Sequence, residues 1–122
     1  MASDERGIPE PLAELVPYWL SLAEVAERFG VPASRVRQLA REHDLATAGR
    51  RAEWVPALFL DGPAVVKGLP GTLTLLHDAG YAPEEAIGWL FTSDESLPGR
   101  PIDALREDRG VEVRRRAQAL GF

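Results

Sequence analysis

Apolar residues recur at helical spacing early in the chain and predict a short helix that begins near residue 21. The stretch SLAEVAERFG has apolar side chains at positions i, i+3, i+4 and i+7, which lie on one face of a helix. These residues are Leu22, Val25, Ala26 and Phe29. Ser21 and Glu24 have the spacing of a capping box, in which each side chain accepts a hydrogen bond from the other residue's backbone amide. Gly30 follows the last apolar position and predicts the end of the helix.

A second helix is predicted after a tight corner at Val31 and Pro32, from about Ala33 to His43. The segment LATAGRRAEWVP then predicts a short strand, a Gly-Arg-Arg tip and a second strand from about Glu53 to Val55. Pro56 is expected to end the pairing, because proline has no amide hydrogen to donate. Two helices joined by a glycine-containing turn and followed by a basic hairpin indicate a winged helix-turn-helix.

The C-terminal half has a helical pattern. Leucines at helical spacing end at Gly80, Pro83 and Pro101 each open a further helix, and Gly110 precedes a last one. The predicted fold is mainly α-helical with a small two-stranded wing. We expect a flexible acidic N-terminal tail over residues 1–17, a winged helix-turn-helix over 18–60, and a C-terminal helical extension packed on it over 61–122.

Composition narrows the class of protein. The 122 residues are 45 % hydrophobic and 27 % charged, which is typical of a globular domain. Cysteine is absent, which excludes disulfides and thiolate metal sites and fits a reducing compartment. No apolar run approaches the roughly 20 residues of a membrane span. The first residues lack the basic start and apolar stretch of a secretory signal. We therefore expect a cytoplasmic protein without a membrane partner.

Charge is unevenly distributed along the chain. The formal net charge of −5 argues against a nucleic-acid partner. However, residues 33–52 contain five arginines against two acidic residues, a local balance of +3. Local potential decides which surface meets a phosphate backbone, so the acidic total weakens a DNA-binding interpretation without removing it.

The second helix carries the candidate DNA contacts. If Val36, Leu39 and Ala40 face inward, the opposite face is polar and can enter a major groove. Glutamine side chains can pair with adenine edges, and arginine side chains with guanine edges or phosphates. The predicted DNA-binding residues are Ala33, Ser34, Arg35, Arg37, Gln38 and Arg41 on the helix, with Arg50 and Arg51 at the wing tip. The alternative is an ordinary solvated helix on an acidic protein.

A second helix–glycine–helix stretch, LLHDAGYAPEEAIGWLF, tests this interpretation. Its second helix opens with Glu84 and Glu85, whose carboxylates would repel phosphate. We therefore expect core and partner surface there, with no second DNA reader.

The sequence predicts no catalytic or cofactor site. His43 and His77 lie far apart in sequence and match no metal-binding motif. The stretch GTLTLLHDAG lacks the pattern of a phosphate-binding loop, and the carboxylates form no recognisable acid–base arrangement. We expect a non-enzyme that carries no cofactor.

The stretches VVKGLPGTLTLLHDAGY, WLFT and VRRRAQAL are the most specific part of a wider likeness that runs from about Leu20 to the C terminus. Through them the chain resembles an actinobacterial family of small winged helix-turn-helix DNA-binding proteins known from mycobacteria. The helix-turn-helix alone is also similar to the excisionase and MerR type. The resemblance implies DNA binding and regulation through the N-terminal tail, and it does not identify the operator.

The final third, from WLFT to RRRAQAL, is also similar to the toxin-binding region of Xre/MbcA/ParS antitoxins. This likeness implies a protein partner at Trp89, Phe91, Leu97 and Pro101, whereas the simpler interpretation is a helical lobe. The alternative function is thus a protein-interaction module with weak or no DNA binding. Target site, oligomeric state and direction of regulation stay open.

Overall fold

The computed structural model describes residues 2–121. This part of the chain is mainly α-helical, as the sequence predicts, and has two small antiparallel strand pairs where one was predicted. The helices are α1 (Glu10–Leu15), α2 (Leu22–Phe29), α3 (Ala33–Arg41), α4 (Leu69–Asp78), α5 (Pro83–Phe91), α6 (Pro101–Arg106) and α7 (Gly110–Ala119). The strands are β1 (Trp19–Ser21), β2 (Trp54–Pro56), β3 (Leu60–Asp61) and β4 (Ala64–Val65), and a 3₁₀ turn covers Ala57–Phe59.

Helices α2 and α3 form the predicted helix-turn-helix. The backbone amide of Glu24 donates to the Ser21 hydroxyl at 3.1 Å, and the amide of Ser21 donates to the Glu24 carboxylate at 2.9 Å. Gly30 ends α2 with φ = 67°, a left-handed conformation that favours glycine. Helix α3 ends at Arg41, two residues before the predicted end, because His43 itself takes a left-handed conformation with φ = 63°.

The wing differs from the predicted hairpin. Strand β2 pairs with β1, which precedes the helix-turn-helix, and the residues after α3 contribute only a bridge between Ala48 and Trp54. Pro56 pairs with Trp19 and is the last residue of β2, so the strand ends at the proline itself, one residue later than Val55. The next amide, that of Ala57, donates to the Tyr18 carbonyl at 2.9 Å and continues the contact past the proline.

Residues 2–17 pack on the rest of the fold and do not form the flexible tail that was predicted over residues 1–17. Ile8, Leu12 and Val16 are at most 5 % exposed and belong to the hydrophobic core. Pro11 lies in the first turn of α1, where a missing amide hydrogen leaves no bond unmade, so it fits a helix start. Helix α1 packs against α5, so the N-terminal segment shares a core with the helical lobe.

The two predicted modules share that core. The ring of Phe59 lies 5.8 Å from the ring of Phe91 in α5, measured between centroids. The Arg106 guanidinium of α6 donates to the carbonyl oxygens of Leu58 and Leu60 at 2.8 and 2.7 Å. The helical lobe is therefore packed directly on the winged element.

Across the described chain, every helix is too short or too polar to cross a membrane.

Candidate nucleic-acid interface

Helix α3 has one buried face and one polar face. Val36 is fully buried and anchors the helix on α2, while Leu39 and Ala40 are half-buried. The six residues predicted to contact DNA from this helix are all exposed: Ala33, Ser34, Arg35, Arg37, Gln38 and Arg41. The structure therefore leaves that face open along the whole length of the helix.

The arginines of this face keep their positive charge unpaired within the described part of the chain. No carboxylate among residues 2–121 forms an ion pair with Arg35, Arg37 or Arg41. Gln38 is different, because its amide nitrogen donates to the Glu42 carboxylate at 2.8 Å. Gln38 must break this hydrogen bond before it can contact a base. The geometry therefore supports a DNA contact by Gln38 less strongly than contacts by the arginines.

The wing tip carries two further exposed cations, Arg50 and Arg51. It is fixed at its base by Gly49, whose amide donates to the Glu84 carboxylate of α5 at 3.0 Å. The Arg50 amide donates to the carbonyl of Arg6, also at 3.0 Å. The tip is thus held from two sides by residues that the sequence analysis did not connect with it.

Arg6 is the residue near this interface that sequence reasoning missed. Its guanidinium carbon lies 5.5 Å from the Trp54 ring centroid and 5.8 Å from that of Trp19, within the range of cation–π attraction. The same guanidinium contacts the Asp4 carboxylate at 2.7 Å, and this hydrogen bond lowers the pKa of Asp4. Arg6 therefore ties the N-terminal segment to both strands of the wing sheet. No periodicity in the sequence signals such a contact.

Gly7 and Gly49 allow this close approach. An added Cβ at Gly7 would lie 2.6 Å from the Arg50 amide nitrogen, and one at Gly49 would lie 2.9 Å from the Arg6 carbonyl oxygen. Both glycines have positive φ angles, 81° and 99°. Their small size is required by the packing of the N-terminal segment on the wing.

The residues predicted to bind a protein partner are mostly internal. Phe91 and Leu97 are 2 % and 1 % exposed, and Pro101 is buried as well. These three side chains cannot form a surface in the folded chain, because they build the core of the lobe. Only Trp89 reaches the surface, where it is half-buried.

Most arginines of the helical lobe serve internal contacts. Arg100 binds the Asp103 carboxylate through its Nε at 2.8 Å, and Arg109 binds that of Glu107 at 2.6 Å. Arg116 donates to the Ser96 hydroxyl and carbonyl, each at 2.7 Å. Exposed Arg114 and Arg115 of α7 form no ion pair within the described chain.

Among residues 2–121, no group of three or more His, Asp or Glu side chains is placed to hold a metal ion.

Two family models match the chain. Residues 11–60 match the winged helix-turn-helix domain described as DNA-binding protein Rv2175c, wHTH domain. Residues 66–121 match the model described as Rv2175c C-terminal domain of unknown function. These matches do not bear on the likeness to antitoxins, which stays a prediction.

A relative and a solved structure agree with the family models. The DNA-binding protein Rv2175c of Mycobacterium tuberculosis (strain ATCC 25618 / H37Rv) is 45 % identical over 116 residues, covering 83 % of this chain and 79 % of its own length. The NMR structure of Rv2175c superimposes with a TM-score of 0.77 at 41 % identity. That superposition covers 86 % of this chain and 82 % of the other.

Proposed function

We propose, since the chain belongs to the family of the DNA-binding protein Rv2175c, that it binds double-stranded DNA in the cytoplasm and acts as a transcriptional regulator or nucleoid-associated factor. The observation that supports this most directly is the exposed face of α3, whose arginines have no carboxylate partner among residues 2–121. An unpaired cationic helix face on a net acidic protein concentrates positive potential where a duplex can dock.

The proposed binding mode places α3 in the major groove. Arg35, Arg37 and Arg41 contact guanine edges or phosphates, and the small residues Ala33 and Ser34 let the helix start approach closely. Gln38 reads an adenine after exchanging its hydrogen bond to Glu42 for one to the base. At the wing tip, Arg50 and Arg51 contact the flanking phosphates or the minor groove.

In this proposal residues 18–60 form the DNA-binding unit and residues 61–122 support it. The support is physical, because α5 fixes the base of the wing through Glu84 and α6 fixes the segment after β2 through Arg106. The alternative, a protein-interaction module without DNA binding, is not supported by the burial of Phe91, Leu97 and Pro101.

The test is fluorescence anisotropy with a labelled duplex of mixed sequence, titrated at several salt concentrations. Arg37→Ala/Arg41→Ala is compared with Arg114→Ala/Arg115→Ala, which removes the same charge from α7. We expect the α3 variant to lose at least about tenfold in affinity, since one arginine contact contributes about 1–3 kcal/mol. It should also show a shallower dependence on salt. The α7 variant should stay within about twofold of the parent protein.

Two results would overturn the proposal. No binding even at low salt removes DNA as the partner. Equal losses in the two double variants mean that general charge, and not the α3 face, holds the duplex. Circular dichroism of each variant shows whether the helices are intact.

A further inference from the structure

A cavity of about 250 Å³ lies where the end of α3 meets α4 and α5. Its polar lining comes from both predicted modules: Arg41, His43 and Thr47 from the winged element, and His77 and Tyr81 from the helical lobe. The apolar part of its wall includes Leu45, Leu73 and Ala86. Of the residues that line this cavity, only Arg41 takes part in the proposed DNA contacts.

His43 and His77 are brought together here although 33 residues separate them in sequence. Their rings stack with centroids 3.9 Å apart and planes inclined by 26°. Such nearly parallel rings cannot share one metal ion, because a metal lies in the plane of each imidazole about 2 Å from its nitrogen. The stack therefore leaves the ring nitrogens available to a ligand that accepts hydrogen bonds.

The polar groups of the cavity favour an anion. Arg41 is a permanent cation and donor, each imidazole can donate, and the hydroxyls of Thr47 and Tyr81 can donate as well. No carboxylate among residues 2–121 lines the cavity. Neither the Arg41 guanidinium nor either imidazole is engaged in a salt bridge within that range.

We propose that this cavity binds a small organic anion, with its carboxylate or phosphate group on Arg41 and the two histidines and its apolar body against Leu45 and Leu73. Ligand pockets combine mostly apolar walls with a few convergent polar groups. The volume lies just below the roughly 300 Å³ at which pockets for drug-sized ligands begin, which selects a metabolite of one ring or a short chain.

Binding of this anion has a consequence that rests on the proposed function. Arg41 belongs both to the cavity and to the DNA-facing side of α3. An anion that holds its guanidinium withdraws one cation from the duplex. The ligand should therefore weaken DNA binding, and DNA should weaken ligand binding by the same factor.

The experiment titrates the full chain with benzoate and, separately, with inorganic phosphate, against sodium chloride at equal ionic strength. The readout is the imidazole Cε1–H resonances of His43 and His77 by NMR. Benzoate combines a carboxylate with an apolar ring, whereas phosphate tests the anionic group alone. We expect both resonances to shift saturably with benzoate. Phosphate should bind more weakly, because it lacks an apolar body.

Variants separate the site from general charge effects. His77→Leu should weaken benzoate binding by about tenfold or more, because leucine cannot donate a hydrogen bond to the carboxylate. Tyr81→Phe removes only a hydroxyl and gives a second, milder reduction. Arg114→Ala is the control and should leave the binding unchanged.

Shifts that merely follow sodium chloride would overturn the site, and so would benzoate binding that is unchanged in His77→Leu, measured at the His43 resonance. Saturable benzoate binding with no effect on DNA affinity would support the site and contradict its coupling to DNA. Since the NMR readout contains no duplex, failure of the proposed DNA-binding function leaves this test intact.

Discussion

Gly49→Ala, compared with Gly80→Ala, tests whether the N-terminal segment is packed on the wing. The two glycines have nearly the same backbone conformation, with φ angles of 99° and 95°. Their surroundings differ. A Cβ at Gly49 would lie 2.9 Å from both the Arg6 carbonyl oxygen and the Trp54 ring, whereas a Cβ at Gly80 meets nothing within 4 Å.

The expected loss of stability has two contributions, backbone strain at the glycine and steric overlap of the added Cβ. Alanine in a left-handed conformation costs about 1–2 kcal/mol of stability, and this cost applies to both variants. A side-chain atom forced into a packed site costs about 1–3 kcal/mol more, and only Gly49→Ala bears it. We expect a free energy of unfolding about 1–2 kcal/mol lower for Gly80→Ala and about 2–5 kcal/mol lower for Gly49→Ala.

Urea unfolding followed by circular dichroism measures the free energy of unfolding of both variants. Equal m-values show that both variants expose the same amount of surface on unfolding. If Gly49→Ala is no less stable than Gly80→Ala, the N-terminal segment is not packed tightly on the wing. The contact between Arg6 and the wing would then contribute nothing to the folded state, and residues 2–9 would behave as the tail that the sequence analysis predicted.

Two further predictions concern the N-terminal core and the start of α6. Ile8→Ala should lower the free energy of unfolding by about 2–5 kcal/mol, because Ile8 is fully buried. Leu15→Ala, at a position 39 % exposed, should cost clearly less in the same urea titration, and equal losses would contradict the burial of Ile8. The hydrogen bond from Arg100 lowers the pKa of Asp103 in the folded state, so the carboxylate stabilises the protein above its unfolded pKa of about 3.9. That contribution is lost as pH falls through the folded pKa. Asp103→Asn should therefore be less stable than the parent protein at pH 6, with a difference in stability that narrows as pH falls below the unfolded pKa. A difference independent of pH would contradict a role for this carboxylate charge.

The helix-turn-helix was predictable from sequence because local signals specify it. The capping box at Ser21, the glycine stop at Gly30 and the apolar spacing of α2 all act within a few residues of one another. The exposed face of α3 follows from the same periodicity once Val36 is assigned to the core. Local chemistry thus determined the elements that carry the proposed DNA contacts.

The rest depends on contacts between distant parts of the chain. Ile8 is an isolated apolar residue among prolines and charges, and only contacts with distant parts of the chain, such as the wing at Gly49, make it core. The partner of β2 lies on the far side of the helix-turn-helix, at β1, and not in the adjacent segment. The stack of His43 on His77 likewise joins two elements that no spacing rule connects.

Arg106 determines where the DNA-binding unit can be cut for use in a chimeric protein. A fragment that ends after residue 60 would lose the donor for the carbonyl oxygens of Leu58 and Leu60 and would expose Phe59, which packs on Phe91. Unpaired polar groups and bare aromatic surface both favour aggregation. A fusion must retain α6 to keep these contacts, and α7 as well, because α7 packs on α4 and α6 and its Val113 and Ala117 are fully buried. The transferable unit is therefore the winged element together with its helical lobe.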